Sequence, residues 1–260
     1  LFAPALLGLF AGGIEGAKIP PFVTIGKFFL GAFLARSGGC IINDFFDRKF
    51  DSKVARTKNR PLATGEVGVK SALIVGLFLF ASAFLILITL PLKAVIACFF
   101  AMILVCIYPL VKRFSYFPQV FLGFTYGCPL IVGYLTTAPH PSYNILVLYM
   151  AVILWIVIFD TLYAMQDRAD DLLIGVKSTA VKFGSKWKII LQFLALFYFA
   201  CLLVFWHVSK LEAVLFPTLS YVFLSLVISR AEKDFAKSFK LCLYPLLLVC
   251  FGVFINFFKV

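Results

Sequence analysis

Nine runs of mainly apolar residues, all but the shorter first one near the length a helix needs to cross a bilayer, constrain this chain most. A crossing takes about 20 apolar residues at about 1.5 Å of rise each. Such runs lie near 1–14, 22–41, 71–91, 93–111, 117–137, 143–162, 189–208, 211–229 and 241–258. Turn signals stand between them: Gly12-Gly13, Pro20-Pro21, Pro91, Pro118 and Pro139-His140-Pro141. No polar linker interrupts the pattern, so residues 1–260 are expected to form a single all-α domain. The expected architecture is a polytopic membrane helical bundle of about nine transmembrane helices around a central cavity. Because the chain opens at Leu1 inside an apolar run, a preceding segment is also expected.

Composition supports a bilayer as the surrounding medium. Hydrophobic residues make up 63% of the chain, 32 positions are Phe, and no soluble fold of 260 residues hides that much apolar surface. The net charge of +12 accompanies no basic, groove-reading element, so nucleic acid is excluded as a partner and membrane topology explains the basicity. Of the 24 Lys and Arg residues, 18 fall in the loops 43–70, 112–116, 163–188 and 230–240. Five fall on the opposite side and Arg36 lies within a run. The charged loops are therefore expected to face the cytoplasm, or the matrix of a mitochondrion. Seven scattered cysteines form no Cys-x-x-Cys pair and read as small buried hydrophobes, and the isolated His140 and His207 carry no metal-site pattern.

Only twelve residues are acidic, and seven of them fall in two clusters. The first spans Asn43-Asp44-Phe45-Phe46-Asp47-Arg48-Lys49-Phe50-Asp51, in which Asn43, Asp47 and Asp51 recur every fourth residue and share a helical face. In the second, Asp160, Tyr163, Asp167 and Asp171 follow spacings of three, four and four, which also predicts a single face. Both clusters border membrane runs on the same side, so they can face one another. Adjacent carboxylates repel unless a cation neutralises them. A ligand set made only of oxygen points to a hard ion such as Mg²⁺, which takes one or two carboxylates plus substrate phosphates. A diphosphate held between the clusters fits that chemistry, with Arg48, Lys53, Arg56, Lys58, Arg60 and Lys177 nearby as phosphate partners. The competing reading makes these ordinary solvated charges paired along helices. Ionisable groups beside membrane segments favour the functional one.

The first cluster continues into Arg56-Thr57-Lys58-Asn59-Arg60-Pro61-Leu62, and the second into Gly175-x-Lys177-Ser178-Thr179. With Tyr108-Pro109-x-x-Lys112-Arg113, Pro118-Gln119 and Arg36-Ser37-x-Gly39-Cys40, the chain resembles the UbiA superfamily of intramembrane prenyltransferases along its whole length. The second motif resembles the 4-hydroxybenzoate polyprenyltransferase branch. This resemblance implies Mg²⁺ held by Asn43, Asp47, Asp51, Asp167 and Asp171, ionisation of a polyprenyl diphosphate, and attack of the allylic cation on 4-hydroxybenzoate ortho to its phenol. It places the product on the ubiquinone pathway.

Further roles are less uniquely fixed. Lys112 or Arg113 is a partner for the benzoate carboxylate, or else an anchor of the positive-inside kind. Arg36, seven residues before Asn43, meets a phosphate, the substrate carboxylate, or an acid such as Asp44. Asp160 supports the carboxylates or positions the acceptor. Tyr163 lines the cavity, orders a carboxylate, or anchors the interface. Other acceptors of the superfamily (haem, naphthoate, homogentisate) form the nearest alternative. A divalent-cation transporter is the alternative from a different class, although its sites belong near the bilayer midplane in repeated halves.

Overall fold

The structure is a computed structural model that describes residues 1–54, 56–206 and 211–257. Among these, every regular element is helical: α1 (Phe2–Gly16), α2 (Phe22–Asp51), α3 (Pro61–Thr64), α4 (Val69–Leu87), α5 (Leu92–Phe114), α6 (Pro118–Thr137) and α7 (Asn144–Ala164). The chain continues through α8 (Arg168–Ile174), α9 (Thr179–Phe183), α10 (Trp187–Trp206), α11 (Leu211–Arg230), α12 (Phe235–Leu241) and α13 (Leu243–Phe257).

Seven helical stretches among the described residues are long and apolar enough to span a membrane. Phe2–Gly16 and Leu92–Tyr108 are apolar but shorter. A chain with this many apolar helices is a multi-pass membrane protein. The prolines act where they were expected. Pro21 and Pro91 sit immediately before α2 and α5, and Pro118 occupies the first turn of α6, where its missing N–H costs nothing.

Gly12-Gly13 behaves differently from a turn. Helix α1 runs through both glycines and ends only at Gly16, with Ala17 in the left-handed region. The physical reason is packing against α6. A Cβ on Gly8 would lie 2.0 Å from the Leu130 carbonyl oxygen, and one on Gly133 would lie 2.3 Å from that of Ala5. Small residues let two backbones touch, which is how membrane helices associate where lipid removes the hydrophobic drive.

The long helices pack in a closed circuit: α1 on α6, α6 on α7, α7 on α10, α10 on α11, α11 on α13, and α13 back on α1. They supply most of the main buried cluster, including Leu7, Leu130, Leu148, Ile158, Leu191, Leu224 and Val249. Polar side chains tie the circuit together. Tyr198 and Ser220 share a 2.7 Å hydrogen bond, and Ser220 Oγ donates to the Pro245 carbonyl at 2.9 Å. Trp155 Nε1 donates to the Cys242 carbonyl at 2.7 Å. Each such bond contributes roughly 1 kcal/mol in a bilayer.

Helices α2 and α4 pack mainly on each other and bury little: Phe28, Gly38 and Asp51 on α2, Ala72, Gly76 and Leu87 on α4. Exposed Phe22, Phe33, Leu77 and Phe78 would be a liability in water and suit contact with lipid. The 30 residues of α2 measure about 45 Å, more than a hydrocarbon core of about 30 Å. Its last turns carry the first acid cluster.

Candidate active site

One unbroken helix presents the first cluster. Asn43, Asp47 and Asp51 occupy the last turns of α2, so the four-residue spacing does place them on one face. Asp51 is buried, and its backbone carbonyl accepts a 3.1 Å hydrogen bond from Thr57, which folds the following segment back over the helix end. That segment brings Arg60 to the acids. Its Nη1 donates to Asp44 at 2.7 Å and to Asp51 at 3.0 Å. Burial opposes the Arg60 charge, but the Asp51 and Asp44 carboxylates more than offset it and hold the guanidinium above its usual range. Pro61 then opens α3 and fixes where Arg60 stands.

The second cluster departs from the expected single face. Helix α7 ends at Ala164, a turn covers Met165–Asp167, and α8 begins at Arg168. Spacings of three and four stack residues only along a continuous helix, so Asp160 and Tyr163 belong to one helix while Asp167 and Asp171 belong to the next turn and to α8. Asp167 occupies the N-cap position of α8 but makes no side-chain cap. Both of its oxygens go to Arg56 instead, at 2.8 Å from Nε and 2.5 Å from Nη2. This bidentate pair raises the Arg56 guanidinium above its usual range. The guanidinium also lies 4.6 Å from the centroid of the Tyr163 ring. Asp171 is buried one turn further on.

The two clusters are thus linked through the segment after α2, with Arg60 on the first, Arg56 on the second, and Tyr163 beside Arg56. Sequence reasoning expected both clusters on one side of the membrane and offered Asp44 as a partner for Arg36, but missed its pairing with Arg60. Asp44 lies off the Asn43–Asp47–Asp51 face, and spacing alone gives no signal for a partner sixteen positions on.

The other expected site residues are more dispersed. Arg36 donates to the hydroxyl of Tyr126 on α6 and stands 5.4 Å from that ring's centroid; Asp44 is paired with Arg60 instead. Arg48 turns back on its own helix, donating at 2.6 Å to the Phe45 carbonyl, with its guanidinium 4.6 Å from the Phe45 ring centroid. Lys53 and Lys58 are exposed in the segment after α2. Asp160 is half-buried near the end of α7. Lys177 donates to the Phe114 carbonyl at 3.3 Å and lies 5.3 Å from the Tyr116 ring centroid, so it reaches the turn after α5. The side chains of Lys112 and Arg113, like His207, lie outside the described residues.

The Gly175-x-Lys177-Ser178-Thr179 motif has a structural basis. Gly175 closes α8 at φ 73°, a conformation that costs glycine little. Ser178 caps α9, accepting from the Val181 N–H at 3.3 Å. Thr179 shares a 2.7 Å hydroxyl contact with Thr161, and its N–H donates at 3.0 Å to the buried Gln119. Lys177 is therefore carried on a loop pinned to α6 and α7.

Among the described residues, no three His, Cys, Asp or Glu side chains gather as a ready-made metal cluster. The donor set nonetheless fits a hard divalent ion, being carboxylate and amide oxygens from two elements, since Mg²⁺ completes its shell with waters and phosphate oxygens. The open groove of about 560 Å³ beside Phe223, Leu241, Tyr244, Leu247, Leu248 and Phe251 is apolar and holds none of these acids.

Fold and site together describe a helical membrane protein with two acid-bearing elements joined by arginines. Residues 1–254 match the UbiA prenyltransferase family, and the chain belongs to that family. A relative from an Enterobacter species, named 4-hydroxybenzoate octaprenyltransferase, is 33% identical over 253 residues, covering 95% of this chain and 83% of that protein. A UbiA homologue from Aeropyrum pernix, solved in its apo form, superposes with a TM-score of 0.82 at 21% identity over 98% of this chain and 97% of that one. A homologue from Archaeoglobus fulgidus, bound to GPP and Mg²⁺, gives a TM-score of 0.65 at 17% identity over 96% and 94%. Both structures establish the shared fold. Membership of a prenyltransferase family sets aside the cation-transporter reading.

Proposed function

We propose that this chain transfers a polyprenyl group from a polyprenyl diphosphate to the ring of 4-hydroxybenzoate, ortho to the phenol. One observation carries the reading: the side-chain bridge from Asp44 and Asp51 through Arg60, and from Arg56 to Asp167, which brings two acid clusters and two phosphate-compatible cations to one place. The name of the Enterobacter relative supports the acceptor, and the Archaeoglobus homologue's complex supports the donor and the ion.

In this reading Asn43, Asp47 and Asp51 hold Mg²⁺ on one side, and Asp167 and Asp171 on the other. When bound, the ion neutralises charge on the departing diphosphate. Arg48, Lys53, Arg56, Arg60 and Lys177 supply phosphate contacts, with the arginine forks matching phosphate geometry. The bond between the prenyl C1 and the diphosphate oxygen breaks, and its electron pair leaves with the diphosphate. Aromatic side chains stabilise the allylic cation without trapping it, and the apolar bundle keeps water away. The activated ring then donates electrons to C1 and passes its ortho proton to the released diphosphate. Arg36, Lys112 and Arg113 are the candidates for the benzoate carboxylate, while Asp160 and Tyr163 position the acceptor side. The loops rich in Lys and Arg face the cytoplasm or matrix, so both substrates' charged groups are met from that side.

The test is prenyl transfer in membranes that carry this protein, supplied with labelled 4-hydroxybenzoate, a long polyprenyl diphosphate and Mg²⁺. Labelled lipid product that disappears with EDTA, and in Asp47→Ala and Asp167→Ala, supports the assignment. Folded, inserted protein that makes no product from this acceptor overturns it.

A further inference from the structure

The pairing of Arg56 with Asp167 bears on how substrate and metal arrive. Both carboxylate oxygens of Asp167 accept from the same guanidinium, at 2.8 and 2.5 Å. A bidentate fork takes one lone pair on each Asp167 oxygen, the two that face the arginine, so a coordinated ion at about 2.0–2.1 Å is left the outer pair or must open the fork. Guanidinium and metal ion therefore cannot hold Asp167 in the same way at once, and at such distances two cations repel. A divalent ion arriving alone works against that pair, and an Arg56 that gives way loses its carboxylate and keeps the Tyr163 ring beside it.

A diphosphate removes this conflict. Its oxygens accept an arginine fork as well as a carboxylate does, and its charge offsets that of both cations. The surroundings also suit a movement of the arginine rather than the acid. The Arg56 side chain is 35% exposed, against 14% for Asp167, and it rests over the face of Tyr163. The segment that carries it is tethered to the end of α2: Thr57 holds the Asp51 carbonyl, and Arg60 holds Asp44 and Asp51. An Arg56 released from Asp167 thus stays beside the site.

We propose, resting on the assignment of this site to a metal and a diphosphate, that Arg56 is an exchange residue. It holds Asp167 until a diphosphate arrives, then yields the carboxylate to the metal and moves onto phosphate. Cation and diphosphate consequently bind as a mutually dependent pair. Arg56 is a positioning residue for the metal in this scheme as well as a phosphate contact.

Manganese, a spectroscopic substitute for magnesium, tests the exchange without turnover. Protein-bound Mn²⁺ is measured by electron paramagnetic resonance after equilibrium dialysis of the full chain in nanodiscs, with and without inorganic pyrophosphate. Wild-type protein is expected to bind Mn²⁺ weakly alone and about tenfold or more tightly with pyrophosphate. Arg56→Gln is expected to bind Mn²⁺ alone about tenfold better than wild type and to lose most of the pyrophosphate effect. Arg56→Lys, which keeps the charge but not the fork, is expected to fall between them and serves if the Gln variant does not fold. If wild type shows the pyrophosphate effect while neither variant binds Mn²⁺ alone better than it does, the exchange is wrong and the metal–diphosphate site stands. If wild-type protein binds no Mn²⁺ even with pyrophosphate, the metal–diphosphate assignment falls and the exchange falls with it.

Discussion

Thr161 on α7 and Thr179 on α9 share a fully buried hydroxyl contact of 2.7 Å, which docks the loop bearing Lys177 against the bundle. Thr161 also donates to the Val157 carbonyl at 2.6 Å, so the two hydroxyls form a short chain. Replacing Thr161 by Val keeps the shape and strands the Thr179 hydroxyl, whose acceptor it removes. Thr161→Val is expected to cost about 1–2 kcal/mol, with the double variant Thr161→Val/Thr179→Val costing less than the sum of the singles. Thermal unfolding in detergent measures both. A strictly additive pair would show that the contact contributes nothing of its own.

Arg60 joins two carboxylates, one of them on the buried Asp51. Arg60→Ala leaves Asp51 without that cation and is expected to destabilise the protein by about 1–3 kcal/mol. It should also reduce prenyl transfer more than an exposed control such as Lys233→Ala does. Unfolding and initial rates, measured on the same preparations, check the two effects separately.

Carboxylate loss should be felt at the chemical step. Several kcal/mol of charge stabilisation from the ion correspond to a fall in kcat of about a hundredfold or more in Asp47→Ala and in Asp167→Ala. A change confined to KM would instead assign these residues to substrate affinity.

Chelation provides an independent check. EDTA is expected to abolish transfer and excess Mg²⁺ to restore it. Ca²⁺ should restore much less, because it takes a larger and less regular oxygen shell. Full activity in EDTA would exclude the metal.

At the α1–α6 crossing, the space for a side chain is absent. Gly8→Val is expected to destabilise by about 1–3 kcal/mol, as overpacking does elsewhere, since its Cβ alone would meet a backbone oxygen at 2.0 Å. Gly26, with nothing near its Cβ position, is the control on α2. Equal melting temperatures for Gly8→Val and Gly26→Val would refute the close crossing.

The sequence by itself determined that this chain is a helical membrane protein, where most of its helices begin and end, and which residues form the two acid clusters. Those features come from local chemistry. Apolar run length sets helices in lipid, proline fixes starts, and four-residue spacing fixes the shared face of Asn43, Asp47 and Asp51. It was uninformative at Gly12-Gly13, because a glycine pair signals a turn or a close helix crossing equally well until the partner helix is known. The break after Ala164 was hidden in the same way, since the spacing of Asp160, Tyr163, Asp167 and Asp171 is the same whether or not the helix continues.

Only the tertiary structure decided which acid meets which base. Asp167 lies 111 positions from Arg56, and Asp44, offered by the sequence to Arg36, meets Arg60. Ion pairing depends on distance in space, and distance in space between α2 and α7 is set by how every helix between them packs.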